Sequence, residues 1–168
     1  MFNRLYIELC SQKQFIRYLR RKGVKIGNNC EINKKSFYGS EPYLIEIGDY
    51  VRITKNVTFV THDGGLWCLR NNGKLKNADK FGTIKIGNNV HIGINTIIMP
   101  NVVIGDNVII GVGAIVTKDI PSNSVAVGIP ARVIETLDDY YEKNKDKVVF
   151  TKNMSYEEKK KFILDNIK

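Results

Sequence analysis

The chain has 168 residues, of which 43% are hydrophobic and 26% are charged, and its formal net charge is +9 at pH 7. This length and composition suit one globular domain with its own core, and no apolar run approaches the roughly 20 residues of a membrane-spanning helix. The positive charge fits an anionic partner, but the basic residues lie in three separate stretches without the aromatic interleaving of a nucleic-acid motif, so no nucleic-acid partner is expected.

The first predicted element is a helix within the N-terminal segment 1–23. Ser11 and Gln14 have the spacing of a capping box, and Gly23 suits the C-terminal cap. An apolar stripe lies between them, formed by Phe15, Ile16 and Leu19. We expect the basic side chains of this helix to face solvent rather than a membrane surface. The segment lacks the apolar core of a signal peptide, and an odd number of cysteines without metal-ligand spacing indicates reduced thiols in the cytoplasm.

A period of six residues dominates the middle of the chain. β-Branched aliphatic residues recur at Ile86, Ile92, Ile98, Ile104, Ile110 and Val116, and glycine often follows them. A looser array precedes it, with Ile26, Ile32, Ile47, Ile53 and Phe59. A period of six fits neither a helix nor a long strand, but it fits a short strand and a turn, repeated. Three such units make one triangular coil, so the pattern predicts an all-β solenoid, a parallel β-helix, over residues 24–134.

The array is interrupted by a loop predicted at residues 63–82. His62 stands where the loop begins, and Leu66 and Trp67 are apolar residues in an otherwise polar stretch. Their exposure to water would be unfavourable. They therefore indicate burial at an interface or stacking on a bound ligand, or a small local cluster.

The last predicted elements are helices in the C-terminal segment 135–168. Thr136 is a helix cap, and Ser155 and Glu158 have capping-box spacing. One face of the last helix is apolar, with Tyr156, Ile163 and Ile167. We expect the terminal helices to cover the exposed ends of the solenoid.

The run "IKIGNNVHIGINTIIMPNVVIGDNVIIGVGAIVTKDIPSNSVAVGIPARVI" resembles the hexapeptide-repeat acyltransferases. Its ending is similar to that of galactoside, maltose and antibiotic acetyltransferases. The stretches "FYGSEPYLIEIGDYVRI" and "VTHDGG" resemble enzymes that O-acetylate capsular or O-antigen sugars. The resemblance implies a left-handed parallel β-helix with an extruded loop and flanking α-helices. It also implies a homotrimer with active sites between subunits.

The activity that the resemblance implies is acetyl transfer from acetyl-CoA to a sugar hydroxyl in cell-surface polysaccharide biosynthesis. The alternatives are N-acetylation of an amino sugar, acetylation of an antibiotic, and a solenoid that only assembles with partners. Zinc enzymes with this fold need three histidines per site, and the chain has two, so no metal is expected.

His62 matches the family's general base, which takes the proton of the acceptor hydroxyl during direct transfer in a ternary complex. Its ring needs an orienting acceptor, for which Glu41, Asp49 and Asp63 are candidates. His91 is the rival base, and it is otherwise part of the wall of the acyl or acceptor pocket, or a surface residue. The substrate-binding candidates are Glu41, Tyr43, Trp67 and His91.

The cofactor candidates also follow from the resemblance. Thr117 and Lys118 match residues that bind CoA, and Arg132 matches a contact to phosphate or adenine. The pantetheine channel is assigned to Gly93, Ile94, Gly111 and Val112. Glu135 replaces a second arginine of the family pattern, which weakens the expected phosphate clamp.

Overall fold

A computed structural model describes residues 9–167 of the chain. The short strands of the described part belong to three sheets, which we call faces A, B and C. The chain passes through the three faces in this order and then begins the next coil. The earlier portion of the predicted N-terminal segment, residues 1–8, and residue 168 lie outside the described residues. The boundaries given to the segments 1–23, 24–134 and 135–168 stay a prediction.

The three faces are parallel sheets built from successive coils. Face A contains β1 (Lys25–Ile26), β3 (Ile45–Ile47), β6 (Ile84–Ile86) and β9 (Val102–Ile104). Face B contains β2 (Glu31–Ile32), β4 (Arg52–Ile53), β7 (Val90–Ile92), β10 (Val108–Ile110) and β12 (Ser124–Val127), with β13 (Arg132–Thr136) antiparallel at its edge. Face C contains β5 (Thr58–Phe59), β8 (Ile97–Ile98) and β11 (Ile115–Val116). The chain therefore winds as a triangular parallel β-helix, as the six-residue period predicts.

The core is a stack of mostly aliphatic side chains, and each face contributes two inward positions in most coils, such as Ile84 and Ile86 on face A. In register, Ile53 pairs with Ile92 and Ile92 with Ile110 on face B, and all three are buried. The outward positions alternate with these, in keeping with the two-residue period of a strand. The three corners of the triangle follow the faces: the first lies between A and B, the second between B and C, and the third between C and A.

The first corner is held by side chains that bond to the coil below. Asp49 Oδ1 accepts from the Asn28 amide at 2.5 Å, Asn88 Oδ1 from the Asp49 amide at 2.8 Å, and Asp106 Oδ1 from the Asn88 amide at 2.5 Å. The left-handed backbone positions of the corners are mostly asparagines, at residues 29, 56, 89, 95, 101, 107 and 123. Among the non-glycine residues at these corner positions, Tyr50 is the exception, with φ of 57°. Asparagine tolerates this conformation better than other non-glycine residues.

Within residues 9–167, four helices flank the coils or lie in the loop: α1 (Gln12–Arg21), α2 (Leu66–Asn71), α3 (Leu137–Asn144) and α4 (Tyr156–Asn166). The predicted capping boxes at Ser11 and Ser155 are present, and Thr136 caps α3. None of the described helices is long and apolar enough to cross a membrane. Helix α1 buries Phe15 and Leu19 at the N-terminal end of the solenoid.

The prediction that the last helix covers the C-terminal end is wrong. Tyr156, Ile163 and Ile167 are exposed, and α4 buries no residue. Strand β13 turns back instead and pairs with β12. It satisfies the free edge of face B with backbone hydrogen bonds, which a helix packed against that edge could not supply.

Candidate active site

His62 lies at the third corner, where the chain leaves face C and the inserted loop begins. The two ends of this loop run antiparallel, with His62 bridging Phe81. The Asp63 amide donates to the Lys80 carbonyl at 2.8 Å, and the Gly82 amide donates to the Thr61 carbonyl at 2.9 Å. The backbone of His62 is therefore fixed between a rigid coil and a paired loop base.

A carboxylate orients the His62 ring. His62 Nδ1 lies 3.2 Å from Glu41 Oε2, and the Thr61 hydroxyl donates to the same oxygen at 2.7 Å. Thr61 is fully buried, whereas the side chains of Glu41 and His62 are 16% and 44% exposed. Because an ionised carboxylate only accepts, the nitrogen that faces it carries the ring proton. Nε2 is then left with its lone pair, which is what a general base requires.

Glycine makes this arrangement possible. Gly39 has φ of 65°, and a Cβ there would collide with the Thr61 hydroxyl. The chain therefore passes close enough to Thr61 for the short 3-10 turn at Pro42–Leu44 to begin at Glu41. The insertion at residues 38–44 lies at the same corner as His62, because Phe37 bridges Thr58 on face C and Ile45 begins a strand of face A.

The other two orienting candidates are held elsewhere. Asp63 accepts from the Gly65 amide at 2.9 Å and lies 3.3 Å from Lys80 Nζ. The Gly65 amide and then the Lys80 ammonium lower the pKa of Asp63. Asp49 belongs to the hydrogen-bonded ladder of the first corner. Of the three candidates, Glu41 is the one in contact with His62.

The loop carries an exposed aromatic side chain. Trp67 is 65% exposed on α2, so it does not form the small local cluster that was one reading of the sequence. The helix is fastened by Arg70, which lies 2.9 Å from Asp79 Oδ1 and donates to the Ala78 carbonyl. Tyr43 is likewise exposed, in the 3-10 turn next to Glu41.

His91 lies on a different part of the molecule from His62. It points outward from face B between Arg52 of one coil and Ile109 of the next. Partial burial, and then the nearby Arg52 guanidinium, lower the pKa of His91. The lowered pKa favours a neutral ring at pH 7. Face B borders the first and second corners, however, whereas His62 lies at the third corner, which this face does not border.

The pantetheine candidates lie together at the second corner. The Gly113 amide donates to the Ile94 carbonyl at 2.7 Å, which places Ile94 and Val112 in neighbouring coils, both exposed. A Cβ at Gly93 would lie 2.6 Å from the Val112 amide nitrogen, so the stacking of the coils itself requires glycine there. Arg132 pairs with Val127 in register, so it lies at the same corner, at the C-terminal end of the solenoid.

Thr117 and Lys118 are exposed at the third corner, after the last strand of face C. The predicted site residues thus form two groups. His62, Thr117 and Lys118 lie at the third corner, and the second-corner group contains Gly93, Ile94, Gly111, Val112 and Arg132. The whole of face C separates them within one chain.

Comparisons with known proteins agree with this architecture. The bacterial transferase hexapeptide family (six repeats) matches residues 83–118. Protein CapG of Staphylococcus aureus is 44% identical over 167 residues, which cover 98% of this chain and 96% of that protein. The structure of a maltose O-acetyltransferase from Clostridium difficile 630 is 34% identical with a TM-score of 0.59, covering 79% of this chain and 81% of that one. A galactoside acetyltransferase in complex with coenzyme A is 30% identical with a TM-score of 0.61, covering 82% and 78%.

Proposed function

Because this chain belongs to the hexapeptide-repeat acetyltransferases, which build a left-handed β-helix and use acetyl-CoA, we propose that it acetylates a sugar hydroxyl with His62 as the general base. The observation that carries the proposal is the contact of His62 Nδ1 with Glu41, which leaves Nε2 as an acceptor on a side chain that is 44% exposed. The acceptor belongs to cell-surface polysaccharide assembly, and the reaction takes place in the cytoplasm.

The proposed reaction is a direct transfer. His62 Nε2 takes the proton of the acceptor hydroxyl as its oxygen attacks the thioester carbonyl carbon of acetyl-CoA. The carbon–sulfur bond breaks, and the sulfur leaves as CoA thiolate or takes the proton back from the imidazolium. Glu41 stabilises the imidazolium that forms in between, and Thr61 holds Glu41 in place. Proton transfer of this kind typically contributes about 10²–10⁴-fold to the rate.

We propose a homotrimer, in which the second corner of one subunit meets the third corner of its neighbour. The separation of the two groups of site residues by face C supports this arrangement, because a closed ring of three copies brings two different edges together at each contact. The outward positions of face C are also the least polar of the three faces: Thr58, Ile97 and Ile115. Face C would then face the threefold axis, and the exposed Trp67 would contact the neighbouring subunit or the acceptor.

The test of the base is His62→Ala, with His91→Ala as the matched control. We expect His62→Ala to abolish acetyl transfer while the protein keeps its fold and its oligomeric state, measured by circular dichroism and light scattering. His91→Ala should retain transfer. An active His62→Ala variant would refute the assignment, and a parallel loss in His91→Ala would reassign the base.

The cofactor residues are tested by a separate pair of variants. Lys118→Ala and Arg132→Ala should raise the KM for acetyl-CoA more than the KM for the acceptor, because both side chains are proposed to contact CoA phosphates. Lys85→Ala is the control, since Lys85 is an exposed lysine on face A. Equal effects on the two KM values would count against a role in cofactor binding.

A further inference from the structure

A row of side chains continues the second corner beyond the proposed pantetheine contacts. The register pairs Ile32 with Ile53 and Ile53 with Ile92, and the Asn95 amide donates to the Lys55 carbonyl at 3.1 Å. Lys55 therefore lies one coil below Ile94, and Lys34 lies one coil below Lys55. With coils about 4.8 Å apart, the exposed apolar corner gives way to two successive lysines towards the N-terminal end.

These lysines line a cavity of about 400 Å³, which we call the second-corner cavity. Its wall contains Lys34, Arg52 and Lys55 as cations and Glu31 as its single carboxylate. Arg52 Nε lies 3.1 Å from Glu31 Oε2, and Lys34 Nζ donates to the Cys10 carbonyl at 2.8 Å. Ile94 also lines the cavity, so the space adjoins the proposed pantetheine channel. The lining carries more positive than negative charge.

We propose that the second-corner cavity binds an anionic group of the acceptor, so that the acetylated sugar carries a carboxylate or a phosphate. This inference rests on the proposed function, because it takes the sugar as the acceptor and the row of Ile94 and Val112 as the path of pantetheine. In the proposed trimer, His62 of the partner subunit approaches this corner. The cavity then lies at the acyl end of the channel, where the acceptor must be.

The phosphates of CoA are the competing explanation for these cations. They are assigned to the opposite end of the solenoid, where Arg132 and Lys118 lie in the last coils. Lys34 and Lys55 belong to the first two coils, so roughly three coil spacings, about 14 Å, separate them from that end. The pantetheine arm then extends from these phosphate contacts along the corner towards Ile94. The cations of the first two coils, Lys34 and Lys55, are left to bind the acceptor.

The experiment measures sugar binding to the full-length protein saturated with CoA, by calorimetry. The probes are methyl glucoside, methyl glucuronide and glucose phosphate, which share a ring and differ in charge. We expect the two acidic probes to bind about tenfold more tightly than the neutral one at low salt. The preference should fall as the salt concentration rises, because the cavity is open to solvent. The better of the two acidic probes identifies carboxylate or phosphate as the group.

Two variants change the charge of the cavity in opposite directions. Lys55→Gln should reduce the preference for acidic probes about threefold, and Glu31→Gln should increase it by a similar factor. Lys35→Gln is the control, because Lys35 is exposed and adjacent in sequence but lies outside the cavity wall. A purely structural role would not give effects of opposite sign.

Equal binding of the neutral and acidic probes would overturn this proposal. So would a Lys55→Gln variant that keeps the preference and raises the KM for acetyl-CoA, since the charge would then serve the cofactor. Acetylation of the same probes, followed by mass spectrometry, tests the proposed function separately. Preferential binding of the acidic probes without transfer to any of the three would keep the anion site but contradict its assignment to the acceptor of acetyl transfer.

Discussion

Replacing Glu41 by Gln tests whether its charge, and not only its shape, supports His62. The substitution keeps an oxygen that can accept from the Thr61 hydroxyl, so the buried Thr61 remains satisfied. It removes the negative charge that faces the imidazolium formed when His62 takes a proton. At an effective dielectric constant of about 20, a unit charge about 4 Å away stabilises a cation by about 4 kcal/mol. Solvent around the half-exposed ring reduces this to roughly 2 kcal/mol, or about 30-fold in rate.

The assay is steady-state acetyl transfer with both substrates varied. We expect kcat to fall about 30-fold in Glu41→Gln, while the KM for acetyl-CoA stays unchanged, because Glu41 contacts His62 and Thr61 rather than the cofactor row. The ring proton is also expected to leave Nδ1 in part of the molecules, which nitrogen NMR of labelled histidine can measure. Glu46→Gln is the control, since Glu46 is a carboxylate of face A that pairs with Lys25.

A Glu41→Gln variant that keeps its kcat would contradict this role of the charge, and so would a Glu46→Gln variant that loses as much. A loss of activity that follows a loss of folded protein would make Glu41 a structural residue instead. Thermal unfolding of each variant separates these outcomes. An unchanged unfolding temperature together with a lower kcat and a disturbed His62 tautomer would assign Glu41 as a positioning residue.

Three further predictions concern stability. Tyr50→Asn should raise the unfolding free energy by about 1 kcal/mol, because it relieves a left-handed backbone at an exposed tyrosine; a less stable variant in urea unfolding would contradict this. Gly87→Ala should lower the unfolding free energy by at least about 2 kcal/mol, because the new Cβ would lie 2.7 Å from the Gly105 carbonyl carbon. The control Gly64→Ala should change it little, because open space surrounds Gly64. Burial lowers the pKa of His91, so the unfolding free energy should fall as the pH drops below about 6.5. His91→Gln should weaken this pH dependence, and identical pH profiles of the two proteins would exclude the effect.

The solenoid could be predicted from the sequence because its restraints are local and repeated. Each face buries mostly aliphatic side chains at alternate positions of each coil, so a one-residue slip would turn the buried side chains outward. The left-handed corner positions follow the same period, and asparagine marks most of them. Tyr50 adopts the same left-handed conformation although tyrosine does not favour it, because the neighbouring coils impose the path of the backbone.

The contact between Glu41 and His62 could not be predicted from spacing. The two residues are 21 positions apart, and the distance between their side chains depends on how the 38–44 insertion folds over Thr61. The sequence offered Glu41, Asp49 and Asp63 as equivalent carboxylates. The folded structure distinguishes them. Asp49 takes part in the hydrogen bonds of the first corner, and Asp63 accepts a hydrogen bond at the base of the loop.

The two insertions into the six-residue repeat are the strongest signal of the site. The insertions at residues 38–44 and 63–82 both leave the solenoid at the third corner, one coil apart. One supplies the carboxylate and the other begins beside the histidine, so the two interruptions meet at a single point. A solenoid can vary at its corners without disturbing the core, because each coil contacts only its neighbours. Two insertions at the same corner therefore indicate a shared function more strongly than either histidine does alone.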